Sequence, residues 1–273
     1  MNFKPLSIDD KSIFSEFEYI CADYVFSYLF MYRNLYNIKL YYDDKTVIIY
    51  SETDNPCFYA PLGDTGHGID LIVNNFSNKG INATFSKIPE DFIGIFADRN
   101  IKLKEDRDSF DYIYRNSDLS GYKTKLYRKQ RNNLSNFIQN AAPRYTDNFH
   151  NYKNECKEFM YKHYTDPDIL GPTSSFIDNI DYFDCKGGIV WEDNEIQAFC
   201  IYEKVSQNTV LSHVELTNNN HRGVHAYLIN EMSSRIDEEY INKEDDVGLP
   251  GLRRFKMTYN PCSMIKKYTS YND

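Results

Sequence analysis

At 273 residues the chain has room for one large domain or two of ordinary size, with a core that needs no staple. Its 31 Lys and Arg stand against 40 Asp and Glu, a net charge of −9, which excludes a general affinity for nucleic acid or anionic membrane but not a local basic patch. No apolar run approaches the roughly 18 residues needed to cross a bilayer. The opening MNFKPLSIDD lacks signal-peptide regions, and six cysteines (Cys21, Cys57, Cys156, Cys185, Cys200, Cys262) show no CxxC spacing, so reduced thiols in the cytoplasm are expected.

In chain order, Ser7 can cap a first helix running to about Ile20, and Asp23 to Asn37 is helical in part. Lys39 to Ser51 alternates around Asp43-Asp44-Lys45 as a hairpin, and Cys57 to Leu62 is a third strand. A glycine turn (Gly63, Gly66, Gly68) leads into a helix through Ile69, Ile72, Val73 and Phe76. Ala83 to Ile88 is a strand, Pro89 opens a helix, and Ile101 to Arg115 supplies one or two strands. Between Asp118 and Asp147 there is no acidic residue, while Lys123, Lys125, Arg128, Lys129, Arg131 and Arg144 are basic. A helix from about Tyr122 to Asn140, ended by Pro143, would present them as either a solvated face or a groove for phosphates.

Helices from Tyr152 to Tyr164 and around Ser174 to Phe183 follow, then three strands in quick succession, Gly188 to Trp191, Ile196 to Val205 and Thr209 to Leu216. The last alternates with a period of two, which puts His213 and Glu215 on one face, spaced to bracket an attacking amine as general base and neighbour. A cross-strand contact is the plainer reading. After the turn Asn220-His221-Arg222-Gly223, the residues Val224, Leu228, Met232, Ile236 and Tyr240 recur every four positions and predict an amphipathic helix. Cationic side chains crowding a helix N-terminus are unfavourable unless an anion sits among them, so Arg222, Gly223 and Val224 are candidates for binding an anionic acyl donor. Beyond the helix come a short strand (Tyr240 to Asn242), an acidic loop, a helix (Leu249 to Tyr259) and a last strand (Ile265 to Tyr271). Glu244, Asp245 and Arg253 could hold an amino acid by its ammonium and carboxylate, or form a solvated ion-pair network. There is no GxGxxG, GxxxxGKS, HExxH or paired-cysteine motif, so a Rossmann dinucleotide site, a P-loop and a structural zinc are not expected, and without EF-hand spacing the acidic loop is not expected to bind metal.

The run from Tyr240 to Pro261, YINKEDDVGLPGLRRFKMTYNP, resembles the YINREEDLGxxGLRKAKxSYxP signature of the DUF2156 family, which is similar to the C-terminal domain of phosphatidylglycerol lysyltransferases. Ser27 to Arg33, the basic helix and His213-Val214-Glu215 with Arg222-Gly223 also fit, so the likeness covers nearly the whole chain. It implies an α/β (α+β) protein of two tandem acyl-CoA N-acyltransferase (GNAT)-like domains, with mixed, mainly antiparallel sheets flanked by helices. The expected limits are 1–118, a basic connecting helix over 119–143, and 144–273. The chain departs from these patterns at three places: His225 replaces the second glycine of the RGxGxA pyrophosphate loop of acyl-CoA-dependent relatives, and in the family signature Lys243 replaces Arg and Phe255 replaces Ala.

The resulting expectation is a transferase of an aminoacyl or acyl group, from aminoacyl-tRNA or acyl-CoA as co-substrate to a lipid, amine or hydroxyl acceptor. Glu215 would be the general base beside His213, and Lys123, Lys125, Arg128, Lys129 and Arg131 would meet tRNA. The alternative is a catalytically inactive GNAT-like module that binds tRNA, nucleotide or peptide. The donor, acceptor and oligomeric state are not legible in the sequence.

Overall fold

The computed structural model describes residues 1–77, 82–218 and 221–271; Asn220, part of the predicted turn, lies outside them. The chain forms two compact units. The first comprises Met1–Asp111, Asp245–Leu249 and Met264–Asp273, and the second Tyr112–Glu244 and Pro250–Ser263.

In the first unit, strands β1 (Lys4–Pro5), β2 (Ile38–Tyr42), β3 (Thr46–Ser51) and β4 (Cys57–Phe58) lie in that order, and β5 (Leu62–Gly63) also pairs with β3. The predicted hairpin forms because the Asp43 carboxylate accepts from the N–H groups of Lys45 and Thr46, at 2.9 and 3.0 Å, which closes the turn. Helices α1 (Phe26–Tyr32) and α2 (Thr65–Ser77) accompany this sheet; α1 buries Phe26, Tyr28, Leu29, Phe30 and Met31. The first predicted helix is cut short to turns at Ile8–Asp10 and Lys11–Phe14, because buried Asp10 is tied to Ser7 and Lys4 and Phe14 turns in against Phe26. The predicted strand Ala83 to Ile88 reduces to β6 (Ile88–Pro89) and an isolated bridge from Phe85 to Phe58. β6 and β7 (Leu103–Glu105) flank the C-terminal strand Lys267–Ser270, whose buried Lys267 is held between Asp23 and Asp111.

The second unit is built on a seven-stranded sheet. Its order runs from Ser263–Ile265 through β8 (Asp111–Arg115), then β13 (Tyr240–Asn242), β12 (Thr209–Thr217), β11 (Glu195–Lys204), β10 (Cys185–Glu192) and β9 (Arg144–Thr146). Helices α3 (Arg128–Ala141), α4 (Lys153–His163), α5 (Pro167–Asp178), α6 (Val224–Ser233) and α7 (Pro250–Met257) accompany it. The antiparallel meander β10–β11–β12 feeds α6, which returns the chain to β13, parallel to β12. The helix predicted to reach Tyr240 ends at Ser233: Asn116 captures the carbonyls of Ile236 (2.6 Å) and Glu239 (2.8 Å) and turns the chain into β13. Val224, Leu228, Met232 and Ile236 are buried as the spacing predicts.

Sheets that are mainly antiparallel, with flanking helices, are the α+β class expected from the sequence.

Candidate active site in the second unit

Two features of β12 create the site. Its pairing with β13 covers only Thr209–Leu211 against Tyr240–Asn242, while its pairing with β11 continues to Thr217, so the two parallel strands part after Leu211. A bulge interrupts the β11 ladder, where Ile201 pairs with Val214 but Tyr202 pairs with Ser212, leaving His213 as the extra residue.

The bulge overturns the shared face expected of His213 and Glu215. Cross-strand partners lie on one face, so Ser212, opposite Tyr202, and Glu215, opposite Cys200, share a side. The Ser212 hydroxyl confirms this by donating to Glu215 at 2.7 Å. His213 falls on the other face, where its two ring nitrogens meet Glu203 (3.0 Å) and Glu244 (3.2 Å), and Phe176 of α5 packs edge-on against the ring. Burial would lower the His213 pKa, but the hydrogen bonds to Glu203 and Glu244 outweigh it and raise it to about 9.

Glu215 is the centre of a different cluster, in the opening where β12 and β13 part. Its carboxylate meets the Lys243 ammonium at 2.7 Å and His225 Nε2 at 3.1 Å, and His225 Nδ1 meets the Tyr259 hydroxyl at 2.8 Å. Lys243 lies over the rings of Tyr114 and Tyr259, at 5.5 and 5.2 Å from their centroids. Burial would raise the Glu215 pKa, yet the adjacent Lys243 charge and the His225 hydrogen bond hold it far below the usual carboxylate range. Burial, reinforced by the Lys243 charge, lowers the His225 pKa despite its bond to Glu215. The imidazole is therefore neutral, with Nε2–H donating to Glu215 and Nδ1 accepting from Tyr259.

Lys256 on α7 donates to the carbonyls of Lys243 (2.6 Å) and Glu244 (3.2 Å), and Tyr114 donates to the Lys256 carbonyl at 2.8 Å, which fastens α7 to the end of β13. Phe255 of the same helix meets His225 edge-on, 4.6 Å between centroids. The two departures at 225, from the acyl-CoA loop, and at 255, from the family signature, thus touch each other. His225, Lys243 and Tyr259 were not singled out as site residues. The available signal was the substitution of a proton carrier for glycine at 225.

The other candidates are placed as follows. Arg222 is exposed and its Nε donates to Asn133 Oδ1 of α3 at 3.0 Å; Val224 is buried. Gly223, with φ of 106°, faces the Asn133 carbonyl, where a Cβ would lie 2.1 Å from the oxygen. The glycine thus admits α3 rather than leaving that side open. Gly223→Ala is expected to cost about 2 kcal/mol or more, read as a lowered Tm, since both the backbone conformation and the neighbouring carbonyl oppose it. Glu244 is committed to His213, while Asp245, in the first unit, pairs with Lys87 at 2.9 Å. Arg253 is half-buried on α7. The basic helix begins later than predicted, a 3-10 turn at Lys125–Tyr127 preceding α3. Lys123, Lys125, Arg128 and Lys129 are exposed, with no ion pair shown among the described residues, whereas Arg131 is turned back onto the carbonyls of Tyr122 and Thr124.

A meander, a helix and a parallel strand that parts from its neighbour over a polar cluster make up a GNAT-like fold. The chain belongs to the family described as phosphatidylglycerol lysyltransferase, C-terminal, which matches residues 19–271. A conserved protein of unknown function from Bacteroides thetaiotaomicron is similar in structure at a TM-score of 0.85 and 23% identity, with 99% of each chain covered. L-PGS from Bacillus licheniformis is similar at 0.74 and 12% identity, over 100% of this chain and 94% of that one. The C-terminal domain (DUF2156) of a protein described as a putative lysylphosphatidylglycerol synthetase from Agrobacterium fabrum is similar at 0.70 and 13% identity, over 97% and 92%. No curated protein matches the sequence. No helix among the described residues is long and apolar enough to cross a membrane.

Proposed function

We propose that the protein transfers an aminoacyl or acyl group, from aminoacyl-tRNA or an acyl-CoA to an amine or hydroxyl acceptor, in the opening between β12 and β13. The observation that carries this reading is the relay from the buried Tyr259 hydroxyl through neutral, half-buried His225 to Glu215, with Lys243 beside it. Family membership and the lysylphosphatidylglycerol synthetase relatives support the class of reaction.

Glu215 was expected to take the proton itself. Held as an anion by Lys243, it is too weak a base, and its role becomes that of orienting His225 and stabilising the imidazolium. As the acceptor attacks the donor carbonyl, its proton passes to the Tyr259 oxygen while the Tyr259 proton passes to His225 Nδ1; the proton later leaves with the tRNA hydroxyl or thiol. The edge of β12 beyond Leu211 would offer N–H groups to the developing oxyanion. Arg222 would contact a donor phosphate. An amino acid's ammonium would have to displace His213 from Glu244 or Lys87 from Asp245, so these two carboxylates are assigned to structure.

The test is label transfer from a panel of charged tRNAs and acyl-CoAs to lipid and amine acceptors. Transfer that disappears in Tyr259→Phe supports the relay, and binding with no transfer to any acceptor establishes the inactive module instead. For tRNA, replacing Lys125, Arg128 and Lys129 by Gln is expected to weaken binding and to flatten the slope of log K against log salt by about 2. Unchanged affinity and slope would remove the basic helix from the interface. Arg131→Gln should instead lower stability, because Arg131 holds the turn before α3.

A further inference from the structure

On the opposite face of β12 from the relay, Cys185, Glu203 and His213 each present a ligand atom, all within 4.8 Å of one another. Register explains the grouping. Cys185 at the start of β10 is the direct cross-strand partner of Glu203 on β11, so their side chains share a face, and the bulge turns His213 onto that same face. The His213 side chain is fully buried and Glu203 keeps 12% of its side-chain surface exposed, which places the entrance on the Glu203 side. Phe176 closes the cluster from α5.

We propose that this cluster is a binding site for a divalent transition-metal ion, zinc or a zinc-like ion, with Cys185 Sγ, His213 Nε2 and a Glu203 oxygen as ligands. Thiolate, imidazole and carboxylate form a donor set suited to tetrahedral zinc, with ligand distances of about 2.0–2.3 Å and hence donor separations of about 3.3–3.7 Å. Glu203 Oε1 and His213 Nε2 already stand 3.0 Å apart. With no donor pair more than 4.8 Å apart, closing the set onto an ion requires contraction of about 1.5 Å at most at the Cys185 end. The second carboxylate has the place such sites need. Glu244 meets His213 Nδ1 at 3.2 Å, and an imidazole that binds metal through one nitrogen characteristically donates its other N–H to a carboxylate. Three protein ligands leave a fourth position for water or a small ligand. Sequence spacing hides the set, because Cys185, Glu203 and His213 come from three strands and meet only through register and bulge.

The test uses the full chain, stripped with a chelator and titrated with Co²⁺ and separately with Zn²⁺. The expected result is one ion per chain at micromolar concentration, with tetrahedral cobalt bands and a thiolate-to-cobalt charge-transfer band that Zn²⁺ abolishes. Cys185→Ser should remove the charge-transfer band and weaken binding at least tenfold. Glu244→Gln should keep the band and weaken binding by about 10–100-fold. Circular dichroism of each variant checks that it is folded. Wild-type protein that takes up no stoichiometric ion, or binds it without a thiolate band, overturns the proposal with no variant required. Each readout is independent of transfer activity, so failure here and failure of the transferase reading are distinguishable.

Discussion

Replacing His225 by Ala is expected to lower kcat/KM for the transferred group by about 10²–10⁴, the range in which a positioned general base contributes. Tyr259→Phe should fall in the same range while leaving the fold in place, because His225 loses the one proton it can receive and Tyr259 remains packed on Phe255 and Tyr122. The pH profile separates this from a loss of packing. Catalysis needs the neutral imidazole, and burial with the Lys243 charge holds the His225 pKa below its ordinary 6.5. The acidic limb of kcat/KM should therefore have its midpoint below pH 6.5, with a plateau above it. A midpoint above pH 6.5, or a Tyr259→Phe variant with wild-type turnover, would take the proton path away from these residues.

The second large effect is on stability. Lys243→Met is expected to destabilise the protein by about 3–5 kcal/mol, because it leaves the Glu215 carboxylate buried without its cationic partner. The Lys243 side chain is 5% exposed and that of Glu215 12%, so solvent cannot replace the lost partner. For a chain of this size the change corresponds to a fall in Tm of roughly 6–15 °C. Adding Glu215→Gln should recover a large part of it, since the charge left unpaired is then absent. The pH dependence has a fixed sign. The folded-state pKa of Glu215 is depressed, so the stabilisation from Lys243 is present above the ordinary value of 4.5 and is lost as pH falls below it. The gap between wild type and Lys243→Met should narrow on acidification. A gap independent of pH would mean that Lys243 acts through the rings of Tyr114 and Tyr259 rather than through Glu215.

Local patterns were legible where short-range chemistry decides the structure. Asp43 closes the first hairpin, a strand forms at Thr209–Thr217, and Val224, Leu228, Met232 and Ile236 bury one side of a helix. Errors arose where a distant side chain intervened. Asn116 ends α6 early by taking the Ile236 and Glu239 carbonyls from 120 positions upstream or more, and nothing in the 3.6-residue period announces it. Gly223, expected from the sequence to help bind an anionic donor, is approached closely by the Asn133 carbonyl of α3, a contact from 90 positions upstream that the local pattern does not announce.

By itself, the amino-acid sequence marked individual strands and helices through hydrophobic periodicity, and pointed to the family, with the class of fold the resemblance implies, through the run from Tyr240 to Pro261. It also marked 225 as a departure from the loop of acyl-CoA-dependent relatives and 255 as a departure from the family signature. Only the tertiary structure decided which side chains act together. A single extra residue in β12 puts His213 and Glu215 on opposite faces, sending one to Glu203, Glu244 and Cys185 and the other to Lys243, His225 and Tyr259. The physical reason is that side chains on a strand alternate with a period of two, so one bulge reverses every assignment beyond it. A bulge is set by the ladder on the neighbouring strand, not by the residues it displaces.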